Sequence, residues 1–254
     1  MSSSSSHPRQ QPVVHQPADY ERSFDADAYF EFYFGKKAIS DGTRVSLFAL
    51  PMFAKILEQQ LRPEERKTMI DIGAGPTVYS LFCLRHTITS QVYLADFVDR
   101  NLDALKAWRD DQSQHDWEPV IRVILRTEGV SDFSSDSCDT VQRKSRELLK
   151  AGDVLYCNVL DKNVCPTLPQ PQVDVLVSIF CLESACSDYA EYCRALTAMD
   201  NTYNSGGTTI FHLLSLTLQE IESALEAAGL DTVGAKKYVM PDEGVMFLMA
   251  AKKQ

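Results

Sequence analysis

The residues with the clearest chemical potential are two glycines and an aspartate. Gly73 and Gly75 directly follow a short apolar run, and Asp96 ends the next apolar run along the chain. Glycine lets the backbone turn tightly and approach a ligand without a clash from Cβ. An acid after the second strand of such a unit can accept hydrogen bonds from the hydroxyls of a ribose. The pattern therefore predicts a site for a ligand that contains a ribose.

The identity of that ligand depends on a third glycine, which this sequence lacks. The dinucleotide-binding fingerprint G-x-G-x-x-G requires a glycine where this chain has Val78. The sequence also contains no G-x-x-x-x-G-K-S/T phosphate-binding loop. A cofactor without phosphate groups is therefore favoured, and S-adenosylmethionine is the first candidate. A nicotinamide or flavin site and a plain strand-to-helix turn remain as alternatives.

The elements that must position these residues alternate between strand and helix. Apolar runs at Thr68 to Ile72, Gln91 to Ala95 and Val173 to Phe180 are typical of strands, and amphipathic stretches between them are typical of helices. The third run is nearly continuous, which suits a central parallel strand covered on both faces. The alternation predicts an α/β fold with a mainly parallel sheet, whose ligands bind at the carboxyl ends of the strands.

The composition limits the class of protein. The chain has 254 residues and a formal charge of −10, which argues against a nucleic-acid binder, because such proteins need a basic face. No apolar run approaches the ~18 residues of a membrane span, so no membrane segment is expected. The histidines are isolated and the cysteines form no C-x-x-C pair, so no metal site is expected.

The N-terminal residues suggest a polar tail and a compartment. Residues 1–18 are rich in serine, glutamine and proline, and we expect them to be disordered ahead of one domain over residues 19–254. The tail lacks the apolar core of a secretory signal, which predicts a reducing, cytoplasmic compartment with free thiols.

A dense aromatic segment, residues 25–34, follows this tail. It must pack against other residues, because exposed aromatic side chains are unfavourable in water. It is expected to form either a helix or turn that covers the core or an aromatic lid over a ligand pocket.

Two segments form recognisable motifs: residues 70–79, Ile-Asp-Ile-Gly-Ala-Gly-Pro-Thr-Val-Tyr, and residues 178–186, Ser-Ile-Phe-Cys-Leu-Glu-Ser-Ala-Cys. They resemble motifs of the small-amine N-methyltransferases, the family of nicotinamide, phenylethanolamine and indolethylamine N-methyltransferases. The resemblance extends over about residues 25–254. It implies S-adenosylmethionine-dependent methyl transfer to the nitrogen of a small amine or a pyridine-type acceptor. It also implies a monomer with a Rossmann-like class I methyltransferase fold, whose seven-stranded, mainly parallel sheet has helices on both faces.

The resemblance further implies a role for each matching residue. Cofactor contacts are implied for Tyr29, Phe34, Gly73, Gly75, Thr77, Tyr79, Asp96, Phe97, Asn101, Asp153, Val154 and Ile179. Asp96 would hold the ribose, and Asp153 would accept a hydrogen bond from the adenine amino group. Tyr33, Phe180 and Glu183 would contact the acceptor, with Glu183 orienting an amine and accepting its proton. Phe34 stands where the family pattern has a tyrosine, which removes a hydroxyl near the cofactor's carboxylate.

One family feature is missing from the sequence. Family members carry a further acceptor-site segment after the fifth strand, whereas here Thr208 to Phe211 leads almost directly to His212 to Leu218. Its loss would open one wall of the acceptor pocket. Two hypotheses follow: an active N-methyltransferase with a wider acceptor site, or a cofactor-binding pseudoenzyme or shortened variant. A nucleotide-dependent oxidoreductase is disfavoured by the missing third glycine.

Overall fold

A computed structural model describes most of the chain. It covers residues 24–41, 46–170, 172–200, 203–213, 217–239 and 244–252. The predicted disordered tail, residues 1–18, lies outside the described residues. The seven cysteines of the sequence are all described, and each is a free thiol.

Helices and strands alternate along the chain, as the sequence pattern predicts. The helices are α1 (Ala26–Tyr33), α2 (Lys36–Asp41), α3 (Ser46–Gln60), α4 (Tyr79–Leu84), α5 (Asp99–Arg109), α6 (Glu118–Glu128), α7 (Ser135–Ala151), α8 (Leu182–Ala185), α9 (Tyr189–Asp200) and α10 (Leu218–Ala227). The strands are β1 (Thr68–Ile72), β2 (Gln91–Asp96), β3 (Asp153–Tyr156), β4 (Val173–Ile179), β5 (Tyr203–Leu213), β6 (Leu230–Val239) and β7 (Gly244–Lys252).

The described strands form one sheet in the order β3-β2-β1-β4-β5-β7-β6. Strands β1 to β5 pair in parallel, and β7 and β6 continue the sheet in antiparallel pairs. The prediction of an α/β fold with a mainly parallel sheet is therefore confirmed. The strand order reverses direction between β1 and β4, and ligands of such sheets bind where this occurs, at the carboxyl ends of the strands.

Apolar layers cover both faces of the central strands. Met69 of β1 packs into the layer that contains Leu50 and Phe53 of α3, whereas Ile70 packs into the layer that contains Leu196 of α9. Successive side chains of a strand point to opposite faces, so one strand contributes to both layers. This packing holds β1 in place at the centre of the sheet.

Two helices differ from the sequence-based expectation. The sequence pattern predicts a helix only from Val141 to Leu149, whereas α7 begins at Ser135, because Oγ of Ser134 caps it by accepting a hydrogen bond from the backbone N–H of Ser137 at 3.3 Å. Helix α6 is not predicted at all. Its Pro119 lies in the first turn, where a helix needs no backbone N–H donor.

The part of the chain that the structure describes contains neither a membrane-spanning helix nor a group of side chains suited to a metal ion. None of its helices combines the length and the apolar character that crossing a membrane requires. None of its groups of histidine, cysteine, aspartate and glutamate side chains is arranged to hold a metal ion.

Candidate functional site

The loop after β1, residues 73–78, forms a tight turn against the end of β2. The backbone N–H groups of Gly73 and Ala74 donate to the carbonyl oxygen of Ala95 at 2.8 and 3.0 Å. The N–H of Gly75 donates to Oδ2 of Asp96 at 2.8 Å. The predicted approach of the glycine turn to Asp96 is therefore present, and it is a direct hydrogen bond.

The two glycines of the turn are required for different reasons. Both have positive φ angles, +76° at Gly73 and +61° at Gly75, a conformation that side chains disfavour. A Cβ added at Gly73 would also lie well inside 3.0 Å of the Cβ and Sγ atoms of Cys181. A Cβ added at Gly75 would meet no atom within 4 Å. Gly73 is therefore packed against the loop after β4, and the space beside Gly75 is open.

Asp96 connects the glycine turn to the start of α5. Its Oδ1 atom accepts hydrogen bonds from the N–H of Val98 at 2.9 Å and from Nδ2 of Asn101 at 3.0 Å. Burial raises the pKa of the Asp96 carboxyl, and the donated hydrogen bonds from Val98, Asn101, Gly75 and Phe97 oppose that rise. Asp96 is therefore a buried carboxylate that the backbone around it holds in one orientation at the end of β2.

Asn101 provides a second acceptor close to the carboxyl end of β2. The residue is buried, and its Oδ1 atom has no hydrogen-bond partner among the described residues. Buried polar atoms are almost always paired, so an unpartnered one marks a place where a further group can bind. Asp96 and Asn101 thus together present two acceptors at the end of β2.

A further buried acid, Asp71, lies on β1 beneath the turn. Ser80 of α4 donates a hydrogen bond from its hydroxyl to Oδ2 of Asp71, which ties the two ends of the turn together. Burial raises the pKa of Asp71 to about 7; the Ser80 hydrogen bond opposes this rise and the charge of Asp96 adds to it. Asp71 therefore titrates near neutrality.

Other predicted cofactor residues also lie at this edge of the sheet. The hydroxyl of Thr77 donates to the carbonyl oxygen of Ala74 at 2.7 Å, which stabilises the turn from within. Tyr79 begins α4 directly after the turn. Ile179 is buried and ends β4. The structure thus brings all three to the carboxyl ends of β1 and β4.

The aromatic segment forms helix α1, which we name the lid helix. Phe30 and Phe34 are buried beneath it, and the ring of Phe34 stacks on that of Tyr79 with centroids 5.1 Å apart. Tyr29 and Tyr33 lie together, with ring centroids 4.6 Å apart, and Tyr33 is 37% exposed. The segment is therefore a helix that covers the core, and its contact with Tyr79 places it beside the glycine turn.

The ends of β2 and β3 carry two exposed aromatic rings. Phe97 follows Asp96 directly, and its ring centroid lies 5.9 Å from that of Tyr156. The two side chains are 39% and 38% exposed. Large apolar groups left open to solvent beside a crevice are typical of a ligand-binding surface.

The structure does not bring Asp153 or Val154 to this edge. Asp153 begins β3, three positions before the residue that pairs with Asp96, which is about 10 Å along a strand. Its carboxylate accepts a hydrogen bond from Nη1 of Arg109 at 2.7 Å, and Val154 is buried in an apolar layer. The prediction that these residues flank the adenine does not fit the fold, because both lie near the amino end of β3, whereas Asp96 and the glycine turn lie at the carboxyl ends of the strands.

Asn158 is the polar residue at the carboxyl end of β3. The preceding N–H, of Cys157, donates to the carbonyl oxygen of Asp96 at 3.0 Å, which places Asn158 beside the end of β2. Oδ1 of Asn158 accepts a hydrogen bond from the N–H of Leu160 at 3.0 Å. The sequence could have indicated Asn158, because a strand that starts at residue 153 must end near residue 157 and Asn158 is the next polar residue.

The residues after β4 form the remaining side of the site. Phe180 has a φ angle of +58°, an uncommon and strained conformation that is concentrated at functional sites. Oγ of Ser184 donates to the carbonyl oxygen of Phe180 at 2.8 Å and supports this turn. Burial raises the pKa of the Cys181 thiol, and the charges of Asp96 and Glu183 add to the rise. Cys181 thus lies near both acids.

Comparison with known proteins identifies the family. The model described as the NNMT/PNMT/TEMT family matches residues 11–210, which is more than half of the chain. The chain belongs to this family. The resemblance inferred from the two sequence motifs is therefore confirmed.

Relatives of this family member carry the corresponding names. It is 28% identical to a nicotinamide N-methyltransferase of Caenorhabditis elegans, with 92% of this chain and 91% of that protein aligned. It is 27% identical to an indolethylamine N-methyltransferase of Oryctolagus cuniculus, with 73% and 77% aligned. It is also 27% identical to a phenylethanolamine N-methyltransferase of Sus scrofa, with 74% of each aligned.

Solved structures establish the fold class of this family member. Magnesium protoporphyrin IX methyltransferase from Synechocystis PCC 6803, crystallised with bound SAM, aligns over 96% of this chain and 100% of that chain with a TM-score of 0.59. A Burkholderia thailandensis 1,6-didemethyltoxoflavin-N1-methyltransferase aligns over 97% and 94% with a TM-score of 0.54. Identities of 12% and 14% show the fold alone, and the predicted Rossmann-like class I methyltransferase fold is confirmed.

Proposed function

We propose that this chain transfers a methyl group from S-adenosylmethionine to the nitrogen of a small amine or a pyridine-type acceptor. The proposal depends chiefly on the Asp96 carboxylate, which the glycine turn holds at the carboxyl end of β2, with the unpartnered Oδ1 of Asn101 nearby. An acid in this place can accept hydrogen bonds from the hydroxyls of a ribose. The names of the relatives, all of them N-methyltransferases, support the reaction class.

The hydrogen bonds of the glycine turn favour a cofactor without phosphate groups. In phosphate sites the N–H groups of such turns and of helix N-termini point at the ligand. Here the N–H groups of Gly73 and Ala74 already donate to Ala95, and that of Gly75 donates to Asp96. These three donors are therefore not available to the pyrophosphate of a nicotinamide or flavin dinucleotide.

The residues of the edge suit each part of S-adenosylmethionine. Asp96, with Asn101 nearby, would accept hydrogen bonds from the ribose hydroxyls, and Phe97 and Tyr156 would offer aromatic faces to the adenine. Asn158, instead of Asp153, offers a polar group to the edge of the adenine. Gly73 and Thr77 belong to the turn, Tyr79 and Ile179 lie next to it, and its open side at Gly75 would admit the methionine end.

The acceptor side requires orientation, exclusion of water and, for an amine, loss of a proton. When bound, S-adenosylmethionine supplies a methyl group activated on a sulfonium sulfur. Glu183 orients an amine and accepts its proton, whereas a pyridine-type nitrogen carries no proton and needs orientation only. Tyr29, Tyr33 and Phe180 supply aromatic faces, which stabilise a cationic centre and displace water. Phe34 supports these aromatic residues from the side of the core, through its contact with Tyr79.

A shortened acceptor site is the second candidate, and one observation favours it. Only residues 214–216 lie between Leu213, where β5 ends, and Thr217, which caps α10. Three residues are too few to contain the further acceptor-site segment that the family resemblance implies after the fifth strand. This chain therefore either accepts a wider amine or binds the cofactor without efficient transfer.

Methyl transfer from labelled S-adenosylmethionine to nicotinamide, phenylethanolamine and tryptamine tests the proposal. We expect transfer to at least one acceptor, and we expect Glu183→Gln to lose transfer to the alkylamines while retaining cofactor binding. Glu191→Gln, an acid of the following helix α9, is the matched control. Cofactor binding without transfer to any acceptor would favour the shortened variant. Preference for NADH over S-adenosylmethionine would overturn the cofactor assignment.

We also infer that the chain acts on a small molecule, not a nucleic acid, as a monomer in a reducing, cytoplasmic compartment. Its net charge of −10 disfavours association with nucleic acid. Its free cysteines are typical of a compartment that keeps thiols reduced. Sedimentation analysis and localisation of the tagged full chain test these inferences.

A further inference from the structure

His115, which lies away from the carboxyl ends of the strands, connects the lid helix to the rest of the protein. The ring of His115 stacks on that of Phe30, with centroids 4.0 Å apart and an interplanar angle of 9°. Nε2 of the same ring lies 2.9 Å from Oδ1 of Asp27. His115 belongs to the loop before α6, and its side chain is only 14% exposed, so the ring is largely covered where this loop meets the lid helix.

The lid helix depends on such contacts for its placement. It has eight residues, and isolated helices shorter than about 12–15 residues are marginal in water. Phe30 is held from two sides, because Trp117 packs against it edge-on with ring centroids 4.8 Å apart. His115 is thus one of two neighbouring aromatic residues that clamp a single ring of the helix.

The contacts of Phe30 on one side of the lid helix also fix the position of the residues on its other side. Asp27 and Phe30 are three residues apart and share one face of the helix. Tyr29 and Tyr33 are four residues apart and share another face. Because the helix is rigid, the rotation that His115 imposes through the first pair determines where the two tyrosines lie.

We propose that His115 is a positioning residue that sets the rotation of the lid helix and so places Tyr29 and Tyr33 at the reaction site. The second half of this statement rests on the proposed function. The first half, that His115 holds the helix, depends only on its contacts with Asp27 and Phe30.

The test compares four variants of the full chain: His115→Ala, His115→Phe, which keeps the stacking, His115→Gln, which keeps a polar contact, and Gln114→Ala as the adjacent exposed control. Hydrogen exchange of the amides in residues 26–34 reports on docking of the helix. For His115→Ala we expect roughly three- to tenfold faster exchange there, with unchanged exchange in β1 and β4. His115→Phe and His115→Gln should each restore part of the protection, and Gln114→Ala should match the wild type.

Kinetics then test the consequence for the reaction. We expect kcat/KM of His115→Ala to fall by a similar factor, with partial rescue in His115→Phe. If the lid-helix amides of His115→Ala exchange at the same rate as those of the wild type, the proposal is overturned. Faster exchange with unchanged kcat/KM would overturn its second half. If the wild type transfers no methyl group, the proposed function fails, and the exchange data still decide whether His115 holds the helix.

Discussion

Nδ2 of Asn101 donates to Oδ1 of Asp96 at 3.0 Å, and this bond determines which way the amide of Asn101 faces. The opposite orientation would place the amide oxygen against a carboxylate oxygen. The amide oxygen therefore faces away from Asp96 and has no partner among the described residues. The hydrogen bond to Asp96 thus leaves the amide oxygen of Asn101 as a buried acceptor that a further donor can pair.

The first prediction concerns this pair. Asn101→Ala should weaken binding of S-adenosylhomocysteine roughly tenfold, the scale of a lost hydrogen bond to a buried group. Calorimetric titration measures the change, and Asp103→Ala, an exposed residue of the same helix, is the control. Asn101 is a cleaner test than Asp96, because Asp96 also holds the N–H of Gly75. Equal affinities of the two variants would contradict the ribose assignment.

The second prediction distinguishes the two ends of β3. Asn158→Ala should weaken cofactor binding several-fold, because it removes the polar group at the carboxyl end. Asp153→Ala should leave binding unchanged and should cost less than about 1 kcal/mol of stability, since its ion pair with Arg109 is on the surface. Titration of both variants with S-adenosylhomocysteine is the measurement. Weaker binding in Asp153→Ala alone would restore the assignment of the adenine contact to Asp153.

The third prediction compares the two glycines of the turn. Gly75→Ala should lower the free energy of unfolding by about 1–2 kcal/mol, the cost of a side chain at positive φ. Gly73→Ala should cost more, because its Cβ would also overlap Cys181. Denaturant unfolding of both variants measures the difference. Equal losses of stability would show that Cys181 and the loop after β4 can move aside without lowering the free energy of unfolding.

The fourth prediction concerns the pH dependence of stability through Asp71. Burial raises the pKa of this carboxyl to about 7 in the folded chain, above its value of 3.8 in the unfolded chain. The folded chain therefore keeps the proton to higher pH, so this contribution to stability is present in acid and is lost as the pH rises towards 7. Compared with Asp71→Asn, the wild type should lose stability between about pH 4 and pH 7 and remain level above that.

Urea unfolding of the wild type and of Asp71→Asn across that range measures the difference. Ser80→Ala is a useful companion, because the Ser80 hydroxyl opposes the rise in the pKa of Asp71. Its removal should shift the pH-dependent loss to higher pH. Parallel pH profiles of the wild type and Asp71→Asn would contradict the prediction.

Much of the site could be predicted from residue types and spacing. Gly73, Gly75 and Asp96 come together because neighbouring parallel strands end at the same edge of a sheet, whatever their distance along the chain. The missing third glycine favoured a cofactor without phosphate groups, and the resemblance of two motifs to the family supplied the class I methyltransferase fold, which the solved structures confirm. Resemblance of the two motifs to a family supplied the reaction class, which no periodicity encodes.

By itself, therefore, the sequence determined the alternation of strands and helices, the family, and the meeting of Gly73, Gly75 and Asp96 at the carboxyl ends of the strands. Only the tertiary structure decided which end of β3 faces that edge, that Cys181 packs against Gly73, and that His115 clamps Phe30 of the lid helix. The physical reason is that local patterns report which face of an element is buried. Strand register and the contacts between segments far apart in the chain arise only when the elements pack together.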